Sequence, residues 1–93
     1  MPPLYYLKNR VIDSFTTVGF TILEYERLSP EWIQLTIEAN QIPRHEVGVR
    51  AVAACSLSVD VREIRPLGND HYIIKLEVDD RVTLNGVQVT KLL

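Results

Sequence analysis

Ninety-three residues, 46% hydrophobic and 24% charged, with a formal net charge of −2, describe one globular domain over 1–93, exclude a disordered chain and weigh slightly against a dedicated nucleic-acid binder. A chain this short buries roughly two-thirds of its unfolded surface, so its core is small, and self-association is one way to enlarge it. Cys55 is the only cysteine, which excludes an intrachain disulfide scaffold.

Met1-Pro2-Pro3 lacks the basic start and apolar run of a secretory leader. The longest uncharged stretches, Ser14 to Leu23 and Ala51 to Val59, fall far short of the roughly 20 apolar residues of a membrane span. The expectation is a soluble, cytoplasmic protein without membrane contact.

Early prolines suit a helix start, because their missing N–H would be unpaired there anyway. Leu4, Leu7, Val11, Phe15 and Val18 then recur at spacings of three and four, which predicts an amphipathic helix over Leu4 to Thr17. Gly19 suits its C-terminal stop. Phe20 to Leu28 is rich in β-formers, and Ser29-Pro30-Glu31 reads as a turn. From Trp32 to Ala39, Ile33, Leu35, Ile37 and Ala39 share one face while Trp32, Gln34, Thr36 and Glu38 share the other. These two runs predict a hairpin lying on the first helix.

After a polar connection containing Pro43, two patterns compete. Every odd position from Val47 to Val61 is apolar, which is the period of a strand, yet Val47, Ala51, Ala54 and Cys55 form a narrow helical stripe. A strand from Val47 to Val61 would be unusually long. Displacing the chain by about 36 positions brings Val11 onto Val47, Leu23 onto Val59, Tyr25 onto Val61 and Pro30 onto Pro66, which suggests an α-β-β unit twice over with a second helix near Arg44 to Ala54. The helix is preferred on that ground.

Val59 to Arg65 reads as a strand and Pro66 to Asp70 as a turn. Tyr72, Ile74, Leu76 and Val78 form an inward face, with His71, Lys75, Glu77 and Asp79 opposite. Asn85-Gly86 favours a primed two-residue turn, pairing Leu84 with Val87 and Val82 with Val89. The fold expected is α+β: an N-terminal amphipathic helix and a second helix packed on one antiparallel sheet of about five strands, with Ile33/Leu35/Ile37, Tyr72/Ile74/Leu76/Val78 and Val82/Leu84/Val87/Val89 on a single buried surface.

No set of residues spells out catalysis. Cys55 sits among Ala53, Ala54 and Leu57 with no cation to favour its thiolate. His45-Glu46 are adjacent, and neighbours in sequence point in different directions. His45, His71 and Cys55 provide at most three strong zinc ligands, with no spacing that gathers them. Glu24, Glu26 and Asp79-Asp80 fit a solvated strand face and a strand end better than paired-carboxylate chemistry. The four glycines are too scattered for a phosphate loop. The expectation is a non-enzyme without metal or cofactor.

Binding offers more. Trp32 falls on the polar side of its strand, where it is either an interface anchor or covered by the second helix. Arg44, His45 and Arg50, with Arg62 and Arg65, form a local basic cluster with Tyr72 as a stacking neighbour, although Glu46, Asp60 and Glu63 offset most of it. The leading reading is a protein-interaction or assembly module that associates with itself or another protein, with Trp32, Arg44, His45 and Arg50 as binding residues. The alternatives are a nucleic-acid-binding accessory protein, disfavoured by charge, and a small-ligand binder or enzyme. The last requires a concave pocket holding a histidine together with carboxylates.

Overall fold

A computed structural model describes residues 3–55, 58–79, 82–84 and 87–89, with side chains described over 7–55 and 58–79. The elements are α1 (Pro3–Thr17), β1 (Thr21–Ser29), β2 (Trp32–Glu38), a 3-10 turn (Arg44–Glu46), α2 (Val47–Ala53), β3 (Val59–Gly68), β4 (His71–Val78), β5 (Val82–Leu84) and β6 (Val87–Val89). The fold is α+β, with two helices and a four-stranded antiparallel sheet in the order β1-β2-β4-β3.

The helix α1 ends as its sequence dictates. The Phe20 N–H donates to the Phe15 carbonyl at 3.1 Å and the Gly19 N–H to the Thr16 carbonyl at 3.0 Å, the paired closing bonds of a Schellman motif. Gly19 sits at φ +113°, a region that side-chain-bearing residues rarely adopt. The two rings that flank this cap, Phe15 and Phe20, pack with centroids 5.8 Å apart. The cap therefore turns the chain into β1 and fixes two core side chains at once.

Period-two alternation delivers the sheet's inner face. Ile33, Leu35 and Ile37 of β2 pair across the strand boundary with Leu76, Ile74 and Tyr72 of β4, and all six are buried. Leu7, Val11 and Phe15 of α1 and Val47, Ala51 and Ala54 of α2 join the same cluster. Both helices thus cover one face of the sheet.

The ambiguous stretch from Val47 resolves as a helix followed by a strand. The buried positions Val47, Ala51 and Ala54 follow helical spacing, while Val49 is 71% exposed; a strand would have turned Val49 inward with Val47. The alternation of odd-numbered apolar residues therefore carries no structural meaning before Val59.

Three expectations need correction. First, the sheet has four strands, not about five: β5 and β6 pair with each other, Val82 with Val89 and Leu84 with Val87, as a separate two-stranded sheet. Their four apolar residues therefore do not extend the hydrogen-bonded surface of β2 and β4. The Asn85-Gly86 turn itself lies outside the described residues. Second, β3 does not end at Arg65 but runs to Gly68. Pro66 is tolerated because β3 is an edge strand, where a missing N–H need break no ladder bond. Third, the turn between β3 and β4 narrows to Asn69 and Asp70, at φ 55° and 62°. These are short polar side chains that accept the left-handed region of a primed turn.

Both edge strands are irregular. In β1 the register shifts between Ile22 and Glu24 and again between Arg27 and Ser29. In β3 it shifts between Val61 and Glu63 and between Pro66 and Gly68. The residues skipped, Leu23, Leu28, Arg62 and Leu67, include three exposed leucines at 50%, 43% and 52%. Such bulges twist an edge and spoil its pairing with another strand.

Candidate functional site

Two surfaces present chemistry. The first is the outer face of the sheet, the one turned away from α1 and α2. Cross-strand pairs on it are Trp32 with Glu77, Gln34 with Lys75, Thr36 with Ile73, and Glu38 with His71. All eight side chains remain partly exposed. Lys75 extends its Nζ to 5.4 Å from the Trp32 ring centroid, a cation–π contact that shields one side of the indole. His71 Nε2 lies 3.6 Å from Glu38 Oε2, and Arg62 Nε donates to Glu77 Oε1 at 2.6 Å. Of the two expectations for Trp32, cover by the second helix is overturned: α2 joins the opposite face.

The second surface is a cleft of about 520 Å³ between α2 and the β3–β4 turn. Val47, Ile64, Pro66 and Tyr72 supply its apolar wall, and Arg44, Asp70 and His71 bring charge and a titratable ring. Gly48 lines it too, and a Cβ built there meets nothing within 4 Å.

The predicted binding residues separate on inspection. Arg44 lines the cleft; its carbonyl accepts from the Val47 N–H, while its side chain makes no hydrogen bond or ion pair among the described residues. His45 is 83% exposed at its side chain and brings Nε2 to 3.8 Å from Glu46 Oε2; the two adjacent side chains, expected to diverge, instead approach. Arg50 is structural. Its Nε and Nη2 donate to Glu46 Oε1 at 3.1 and 2.9 Å, and its Nη1 donates to the Val18 carbonyl at 3.0 Å. Trp32 stands on the outer sheet face, away from the α2 group. Tyr72, read as a stacking neighbour for nucleic-acid bases, is only 8% exposed and packs in the core, so its ring is not free for stacking.

Reading the sequence did not bring Asp70 and His71 into the same cleft as Arg44. The signal was present but weak: the turn residues following Pro66 and the start of α2 come together only because β3 is an edge strand on the side where α2 packs.

The single thiol matches its apolar setting. Cys55 is half-buried, and burial pushes its pKa up; the backbone N–H of Val61 opposes the rise and the charge of Asp60 adds to it. Its Sγ also donates to the Ala51 carbonyl at 3.4 Å. Burial likewise raises the Tyr25 hydroxyl, against the opposing effect of Arg27. Among the described residues no three His, Cys, Asp or Glu side chains gather in a metal-binding group. No described helix is long and apolar enough to cross a membrane.

Comparison with protein families, with characterised proteins and with solved structures finds no match for this chain.

Proposed function

We propose that this protein is a non-enzymatic assembly module that pairs with a second copy of itself through the outer face of its sheet. The observation that supports this most is the placement of the only tryptophan: Trp32 lies partly exposed on the outer sheet face, at the end of β2 beside the β1–β2 turn, with the partly exposed Thr36 and Ile73 pair further along the same face. Tryptophan is the side chain most enriched at binding hot spots. Face-to-face packing is favoured over edge-to-edge extension, since both edges carry two bulges. A small single core also stands to gain from a second sheet laid over it.

Sedimentation velocity at micromolar concentration tests this reading. A dimer is expected, and a clean monomer overturns it. Trp32→Ala is expected to shift the protein to monomer with its circular dichroism unchanged; unfolding instead would place Trp32 among the core residues and remove the argument.

Nucleic-acid contact through Arg44, His45 and Arg50 is the less favoured reading, because Arg50 already spends its donors inside the protein. A finer architectural reading accompanies the proposal: the chain is an α-β-β unit repeated. The order of elements recurs, and the bulges at Arg62 and Leu67 follow those at Leu23 and Leu28 by 39 residues each. That displacement, not 36, is the one the two hairpins favour.

A further inference from the structure

We propose that the cleft between α2 and the β3–β4 turn binds a small amphoteric molecule with an apolar body, of the size and charge pattern of an apolar amino acid. The cleft shares His71 with the outer sheet face but none of Trp32, Gln34, Thr36 or Ile73, so the charge variants at Arg44 and Asp70 test it separately from self-association.

Three observations carry it. The first is charge. Arg44 and Asp70 both line the cleft, have opposite sign, and make no ion pair with each other or with any described residue. An unpaired guanidinium matches a carboxylate through paired N–H donors, and an unpaired carboxylate matches an ammonium. The second is the apolar lining: Val47, Ile64, Pro66 and the little of Tyr72 that is exposed suit an apolar side chain. The volume of about 520 Å³ accommodates such a molecule with room for water.

The third observation is Gly48. Its backbone is helical, so its conformation requires no glycine. Nothing packs close enough to exclude a side chain. Glycine in a helix is otherwise a disadvantage. A side chain at this position would project into open space beside the cleft that Gly48 lines, so a bulky one is expected to fill it.

Titration with L-phenylalanine, followed by amide chemical shifts in 1H–15N spectra, tests the proposal. Saturable shifts are expected at Gly48, Gly68, Asn69 and His71. 3-Phenylpropionate, which lacks the ammonium, and phenethylamine, which lacks the carboxylate, are each expected to bind at least tenfold more weakly. Arg44→Gln and Asp70→Asn are each expected to weaken phenylalanine binding by at least tenfold. Asparagine keeps the left-handed turn position that Asp70 occupies, so the second variant removes charge without disturbing the turn. Gly48→Leu is expected to abolish the shifts while the rest of the spectrum stays folded. No saturable shift at phenylalanine concentrations up to about 10 mM overturns the proposal, as does binding of either singly charged analogue as tight as that of phenylalanine, or wild-type binding by either charge variant.

Discussion

Arg50 Nη1 donates to the backbone carbonyl of Val18 at 3.0 Å, joining residues 32 positions apart in the chain. The bond holds the middle of α2 against the segment that leaves α1, while the same guanidinium grips Glu46 one helical turn back. A seven-residue helix is too short to stand alone, so this tether and the buried Val47 and Ala51 locate it. Replacing Arg50 with Met keeps most of the packing and removes the donors. A loss of about 1–2 kcal/mol in urea unfolding is expected, the range of charged hydrogen bonds on a partly exposed group. An unchanged midpoint would show that the tether contributes nothing.

Two glycines give opposite results on conversion to alanine. At Gly19 the backbone is at φ +113°, and an added Cβ would sit 3.3 Å from Arg50 Nη1 and from Ile42 Cδ1. Gly19→Ala is therefore expected to destabilise by about 1–2 kcal/mol. At Gly48 the conformation is helical and the surroundings are open, so Gly48→Ala is expected to stabilise by about 0.5–1 kcal/mol. Thermal melts of the two variants check both signs, and the same sign in both would contradict the assignments.

Leu35 and Ile74 are cross-strand partners at the centre of the sheet, each with no exposed surface. Truncating either to alanine removes a buried side chain and leaves a cavity, at a cost of about 2–5 kcal/mol. Ile74→Val should cost only about 0.5–1.5 kcal/mol. Ile73→Ala, one position along and on the other face, is expected to cost less than Ile74→Ala in denaturant titration. Equal losses would mean that the outer face is buried within the monomer.

Cys55 makes a prediction about pH. Its thiol pKa is raised in the folded state, chiefly by burial. As pH climbs past the ordinary cysteine value, the unfolded chain loses its proton first and so binds fewer protons than the native state. Stability must then fall with rising pH. Alkylation by iodoacetamide at pH 8 should correspondingly be slower in the native protein than in urea-unfolded protein, since the thiolate is the reactive form. Faster alkylation of the native thiol would contradict the apolar setting.

What the sequence made legible is the set of elements whose pattern is local. Heptad-like spacing marks α1, Gly19 its end, and alternation the faces of β2 and β4. The helix α2 was harder, because alanines and valines satisfied two periods together; only the burial of Ala51 and the exposure of Val49 distinguish them. The destination of the last hairpin was not legible. Strand pairing within β5 and β6 follows from apolar alternation and a short loop, whereas joining the larger sheet requires a receptive edge. Both edges, β1 and β3, are bulged, a feature that no local residue pattern announces. The cleft was legible as components but not as a site. Arg44 stood out as a cation; its place in one cleft with Asp70 depends on the packing of α2 beside β3.

Trp32 is the only tryptophan in the chain, so its fluorescence reports on the outer sheet face without interference. The direct measurement is its emission maximum on dilution from about 100 µM to 0.1 µM, across the range in which a moderately tight dimer of micromolar affinity dissociates. The account predicts a red shift on dilution, as water reaches the ring, with a midpoint matching the monomer–dimer transition seen by sedimentation. A constant emission maximum across that range, in a protein that sediments as a dimer at the upper end, would contradict pairing through this face.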